Sequence, residues 1–152
     1  MADGEKTIAS LRERFPEAVL RAGSFRDQHW AELRPERLVE ICRWLRDDPG
    51  ASYELLLDVT AAHWPDEPQP LEVVYHLFSL AHNDRLRLKV RTGDPGRVPS
   101  LTPVWASANW NERETFDMFG IVFEGHPDPR RILMPDDYTD HPLRKEFPLY
   151  RG

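Results

Sequence analysis

The chain has 152 residues, 40% of them hydrophobic and 30% charged, enough for one domain with appendages and too little for two full ones. Its net charge of −6, with both signs interspersed, lacks the footprint of a nucleic-acid binder. The single cysteine, Cys42, excludes an intramolecular disulfide framework, a zinc ribbon and an all-cysteine iron–sulfur site within the chain.

No apolar run nears the ~20 residues of a membrane span, and the polar stretch from Met1 to Lys6 is not followed by the apolar core of a secretory signal. These features predict a cytoplasmic protein in a reducing compartment. Ile8, Leu11 and Phe15 recur at i, i+3 and i+7, predicting a short amphipathic helix over 7–15 that Pro16 disturbs. A brief extended stretch over 28–33 precedes a second helix. Pro35 suits its first position, and Leu38, Ile41, Cys42 and Leu45 form an apolar stripe that Asp47-Asp48-Pro49-Gly50 ends. On that stripe Cys42 reads as a small buried hydrophobe rather than a reactive thiol.

Apolar runs over 53–61 and 72–80, separated by the proline-rich stretch 65–70, predict a hairpin. After a turn at Ala81-His82-Asn83-Asp84, the run from Arg85 to Arg91 alternates basic and apolar residues without a break. That pattern predicts a strand with one core face and one basic face. The basic face reads first as the solvated side of an antiparallel sheet, and second as an anion-binding surface. The stretch 93–100 carries three strong breakers and reads as a loop. Thr102-Pro103 then supplies an N-cap and N1 pair for a helix running to Phe119, with Val104, Trp105, Ala108, Phe116 and Phe119 as core contacts and Gly120 as its terminator.

Beyond Gly120 the composition changes. Pro127, Pro129, Pro135, Pro142 and Pro148 fall among charges and isolated apolar residues, a pattern incompatible with regular helix or a central strand. Residues 126–152 therefore read as an extended arm, which either binds a partner or wraps back over its own domain. His126, Asp128 and His141, with Asp136, Asp137 and Asp140 nearby, are residue types that ligate metals or move protons, but their spacing fits no known site, and turns or salt bridges are the commoner use. Glu114 and Asp117 are three apart on a predicted helix face beside Glu112 and Arg113. A carboxylate dyad is the sharp reading of that group; ion pairs to Arg113, Arg130 or Arg131 are the commoner one. No glycine-rich phosphate loop is present, so nucleotide binding lacks support.

The run Glu112-Arg113-Glu114-Thr115-Phe116-Asp117-Met118-Phe119-Gly120 continues through Gly125-His126-Pro127-Asp128 to Arg130-Arg131-Ile132-Leu133. It closely resembles the signature of the 30-kDa subunit, also called the C subunit, of the proton-pumping NADH:quinone oxidoreductase, respiratory complex I. His141-Pro142-Leu143-Arg144-Lys145-Glu146-Phe147-Pro148-Leu149 resembles that family's C-terminal segment, and the stretch from Val98 to Trp105 with Ala108-Asn109-Trp110 resembles its helix entry. Leu56-Leu57-Asp58-Val59-Thr60 and Tyr75-His76-Leu77 fit more weakly. Pro129 stands where the family usually has leucine, and His63 where an acidic residue is common.

The resemblance implies an α+β domain over 1–125, a small mostly antiparallel sheet with helices packed on it, followed by the arm over 126–152. It implies a non-catalytic peripheral-arm subunit on the cytoplasmic side of a bacterial inner membrane, associated with the membrane only through the complex. The chain would bind no cofactor, with NADH, FMN, iron–sulfur clusters and quinone on other subunits. Its partners would be the large quinone-site subunit, the cluster-bearing small subunit and other peripheral-arm subunits, and no nucleic acid. On this reading Glu112, Arg113, Glu114, Asp117, His126, Asp128, Arg130, Arg131, His141, Arg144 and Lys145 form the ion pairs and turns that fix the arm to the domain and its partner. Three alternatives remain: the equivalent subunit of an energy-converting membrane hydrogenase or related complex, a metal-dependent hydrolase using His126, Asp128 and His141, and an acidic adaptor using the strand from Arg85 to Arg91.

Overall fold

The structure, a computed structural model, describes residues 3–93 and 95–127. Helix α1 (Asp3–Arg14) begins earlier than its apolar spacing suggests and stops just before Pro16, whose ring disrupts a continuing helix. It buries Ile8 and Leu11, and Phe15 follows them into the core. Strands β1 (Val19–Phe25) and β2 (Gln28–Leu33) form a hairpin. Arg26 and Asp27 both take positive φ, 51° and 65°, the two-residue turn whose twist matches that of the strands. Only β2 is visible in the sequence. β1 is largely exposed and lacks clean alternation, and its pairing is what makes it a strand. Gly23 faces Trp30 across the hairpin, where an added Cβ would meet the indole at 2.9 Å.

A 3-10 turn at Pro35–Arg37 leads into helix α2 (Leu38–Asp47), so the expected proline start is wound more tightly than an α-helix. The stripe of Leu38, Ile41, Cys42 and Leu45 is fully buried, each leucine contributing about 2 kcal/mol of transfer free energy. Phe15 meets Trp44 edge-on with centroids 6.3 Å apart, joining the end of α1 to α2.

Strands β3 (Leu55–His63), β4 (Leu71–Ser79) and β5 (Asp84–Thr92) follow as a meander and complete a five-stranded sheet of order β1-β2-β5-β4-β3. Its pairings are antiparallel except β2 with β5, which run parallel with Leu33 opposite Val90. The expected α+β architecture therefore holds, with a mixed sheet. Val73, Tyr75 and Leu77 of β4 and Leu86, Leu88 and Val90 of β5 line the inner face against the helices. Arg85, Arg87, Lys89 and Arg91 occupy the outer face, as the alternation predicts.

The stretch 93–100, expected to be a loop, contains the short strand β6 (Arg97–Pro99), which pairs in parallel with β7 (Val122–Glu124). Between them lies helix α3 (Ala108–Phe119). The helix expected from Thr102 is interrupted. The N–H groups of Val104 and Trp105 both donate to the Leu101 carbonyl, closing one turn, and α3 starts afresh at Ala108. Val104, Trp105, Ala108 and Phe119 are buried as expected, whereas Phe116 is only partly so. Gly120 ends α3 in the left-handed region at φ 79°, its N–H donating to the Phe116 carbonyl. Among the described residues no helix is long and apolar enough to cross a membrane.

Candidate functional site

Strand β3 is an edge of the sheet, and an edge offers unpaired backbone carbonyls. The register of β3 on β4 shifts between Leu56 and Asp58, a bulge at Leu57. Carbonyls on one side of an unbroken strand recur every two residues; the bulge lets those of Leu56 and Val59, three apart, accept bonds from the same neighbour. Ser107 donates its hydroxyl to the Leu56 carbonyl at 3.0 Å. Thr115 shares its hydroxyl proton between the carbonyls of Val59, at 3.0 Å, and Asn111, at 2.8 Å. Just ahead of the helix, the Trp105 indole N–H donates to the Tyr53 carbonyl at 3.1 Å. The signature helix is thus fastened to the sheet edge by its own side chains.

Ala108, Glu112, Thr115 and Phe119 fall at i, i+4, i+7 and i+11, a single helix face, and all four are buried. Glu112 is therefore carried inward with its apolar neighbours. One carboxylate oxygen accepts the Ser100 hydroxyl at 2.7 Å and the other accepts the Leu101 N–H at 2.7 Å. Burial pushes its carboxyl up to about 7, partly offset by the two donors. Ser100 in turn accepts the Thr102 N–H at 3.1 Å and donates its own N–H to the Glu124 carbonyl at 2.8 Å. Through Ser100 the carboxylate holds together α3, the loop after β6, and β7. Beneath it the Tyr75 hydroxyl is buried with no hydrogen-bond partner among the described residues, and both burial and the nearby Glu112 raise its pKa.

Glu114 and Asp117 are separated by their environments: Glu114 is exposed, whereas Asp117 is fully buried. Arg113 is half-buried. His126 donates from Nε2 to the Asn109 carbonyl at 2.9 Å, which returns the chain after β7 to the start of α3. Glu112, Arg113, Phe116, Val122, Phe123 and His126 surround a largely apolar pocket of about 250 Å³ between α3 and β7. Asp128, Arg130, Arg131, His141, Arg144 and Lys145 lie outside the described residues, as does nearly all of the expected arm. Among the described residues no three His, Cys, Asp or Glu side chains converge as a metal site. Two of the three residues singled out for a metal-dependent hydrolase, Asp128 and His141, are beyond them.

Ser100, Ser107, Thr115 and Tyr75 were not singled out by sequence. The i, i+4, i+7, i+11 spacing that includes Glu112 and Thr115 is the signal that marks both as inward-facing.

Fold and site together define an α+β domain with a mixed sheet, whose last helix is locked to a sheet edge and pins a loop with a buried carboxylate. The family of the respiratory-chain NADH dehydrogenase 30-kDa subunit matches residues 31–151, and the chain belongs to that family. It is 47% identical over 148 residues to the C subunit of NADH-quinone oxidoreductase from Roseiflexus castenholzii, covering 97% of this chain and 85% of that one. Against the second C subunit of the same enzyme in Rhizobium etli the identity is 45% over 142 residues, covering 93% and 75%. Among solved structures, the trypsin-resistant fragment of Nqo5 superposes with a TM-score of 0.69 at 28% identity, over 83% of this chain and 98% of the fragment. A chain of the membrane-bound sulfane sulfur reductase, an archaeal respiratory membrane complex, superposes at 0.79 and 26% identity, over 96% and 86%.

Proposed function

We propose that this protein is a non-catalytic scaffold of a respiratory NADH:quinone oxidoreductase, holding the large quinone-site subunit and the cluster-bearing small subunit in the peripheral arm. The observation that carries the reading is the family match over 31–151, which runs through both the signature helix and the C-terminal segment. NADH, FMN, iron–sulfur clusters and quinone then belong to other subunits, and membrane association on the cytoplasmic side of a bacterial inner membrane comes through the complex alone. We divide the chain into a domain over 1–125 and an arm over 126–152 on the change of composition beyond Gly120.

In this reading Glu112 sets the geometry from which the chain leaves β7, and Arg113, Glu114, Asp117 and His126 stand where that chain departs. Asp128, Arg130, Arg131, His141, Arg144 and Lys145 contribute ion pairs and turns along the arm. A buried pair that loses one partner leaves an uncompensated charge, at a cost of about 3–5 kcal/mol. Arg130→Ala and Arg131→Ala, made separately, are expected to reduce assembly and quinone reductase activity; wild-type levels of both in both variants would overturn the assignment.

Mass spectrometry of what co-purifies with the tagged chain from gently solubilised host membranes tests the function itself. Recovery of a large quinone-site subunit, a cluster-bearing small subunit and flavin-bearing subunits is the expected result. Recovery of the chain alone, under conditions where such complexes survive, would sink it. The likeness to the sulfane sulfur reductase favours one second reading, the equivalent subunit of another membrane respiratory complex or hydrogenase. A nickel-containing large subunit in the recovered set would move the assignment there.

A further inference from the structure

The outer face of the sheet carries a second concavity, far from the signature helix in sequence. Gln28, Leu57, Asp58, His76, Arg85 and Arg87 line a cleft of about 320 Å³ at the end of the sheet where β2 and β5 begin and β4 ends. The bulge that frees carbonyls for α3 also turns Leu57 outward on the rim, where it is 45% exposed, with Leu55 beside it at 39%. Asp58 is engaged by the Nδ1 of His76. The two arginines have no carboxylate within ion-pair reach among the described residues. Arg85 lies over the Phe78 ring, 5.9 Å from its centroid. Arg87 stands between Trp30 and His76 across the strands, and its Nε is buried without a hydrogen-bond partner among the described residues.

Two other arginines of this face are paired with carboxylates, and its lysine rests on a ring as Arg85 does, so Arg87 and Arg85 are the adjacent arginines left without a carboxylate among the described residues. Arg21 pairs with Glu32 at 2.6 Å, Arg91 with Glu72 at 3.4 Å, and Lys89 sits 4.5 Å from the Trp30 ring centroid. The Arg87 Nε is too enclosed for an incoming group to reach, so the terminal N–H groups of Arg87 and those of the exposed Arg85 are the donors offered at the cleft, and a carboxylate is the acceptor that such charged donors match. The chain as a whole is acidic, at −6, so a local pair of unneutralised arginines beside exposed leucines runs against its average surface.

We infer that this corner is a docking site for an acidic segment of another subunit, which places an aspartate or glutamate carboxylate on Arg87 and Arg85 and an apolar neighbour on Leu57. The inference rests on the reading of the chain as a subunit of a larger complex and adds a second attachment, on the sheet face opposite the helices.

The test uses the assembled complex in its membrane, with p-benzoylphenylalanine replacing Leu57 and, as a control, replacing the exposed Glu13 of α1. Irradiation is expected to join position 57 to a peptide of another subunit that has an Asp or Glu within a few residues of the linked site. Arg87→Glu should lower that yield at least tenfold, with Arg87→Lys between the two. Arg85→Glu, at an exposed position resting on the Phe78 ring, should lower it several-fold and guards against a folding defect in the Arg87 variants. Linkage to lipid, linkage to a peptide without an acidic residue, a yield no higher than the Glu13 control, or a yield unmoved by both charge reversals would each overturn the inference. If other subunits co-purify while these results fail, only the docking site falls. If none co-purifies, the subunit reading falls with it.

Discussion

Glu112 and Ser100 meet at 2.7 Å inside the protein, a carboxylate held by a hydroxyl and a backbone amide rather than by a cation. The arrangement links α3 to the loop after β6 through one acidic side chain, alongside the β6–β7 ladder and the His126 contact to Asn109, and it gives that side chain a distinctive titration.

In the folded chain Glu112 titrates near 7, against an ordinary 4.5. Between those values the folded state keeps a proton that the unfolded chain has released, so stability falls as pH rises from about 4.5 to 7 and levels off above. The full change is on the order of 3 kcal/mol. Thermal melting of the purified chain from pH 5 to 8 should show this decline, and Glu112→Gln should flatten it. An equal slope in the two proteins would show that another group is responsible.

Glu112→Ala removes the acceptor for both the Ser100 hydroxyl and the Leu101 N–H, which are buried. The Leu101 N–H is orphaned, whereas the Ser100 hydroxyl can turn to Thr102 Oγ1, 2.9 Å away, so the cost is roughly 1–3 kcal/mol. For a chain of this length that lowers the melting temperature by about 3–9 °C. Glu112→Gln, whose amide can accept from Leu101 and donate to Ser100, should stay within about 1 kcal/mol of wild type at pH 7. Differential scanning calorimetry of the two variants separates them.

Tyr75→Phe takes away a hydroxyl that is buried without a partner among the described residues and keeps the ring. The variant should be as stable as wild type or more stable by about 1 kcal/mol, measured by urea unfolding. A loss beyond about 1 kcal/mol would mean that the hydroxyl is satisfied in solution.

Burial alone pushes the Cys42 thiol far above its ordinary range, and the side chain is fully enclosed on α2. Ellman's reagent at pH 8 should therefore leave the native chain unmodified on the timescale that labels it fully in denaturant. Rapid native labelling would contradict the placement of Cys42 in the core.

Much of this fold is legible from periodicity. The alternation from Arg85 to Arg91 became β5 with the faces as expected, and the stripe through Leu38 and Leu45 became α2. What escaped detection depends on partners distant in sequence. β1 exists because β2 pairs with it, and the parallel alignment of β2 on β5 is chosen by the packed sheet, with no local signal in either segment. Thr102-Pro103 carries a genuine helix start, yet the helix is broken because Trp105 reaches the Tyr53 carbonyl and Ser107 reaches that of Leu56. At the candidate site, the charges of Glu112 and Asp117 suggested ion pairs. Glu112 instead follows the helix face it shares with Ala108 and Phe119, and its partners are neutral donors.

The parallel pairing of β2 with β5 also imposes an order of events on folding. Strands β3, β4 and β5 follow one another through short connections, so their pairings close small loops. Leu33 must wait for Val90, more than fifty residues downstream. Long-range closure is slow relative to local pairing. During synthesis the N-terminal hairpin leaves the ribosome first and joins the sheet late, with Trp30 and its unpaired edge open until β5 arrives. The strand order thus makes the inner edge of the N-terminal hairpin the one whose partner is synthesised last.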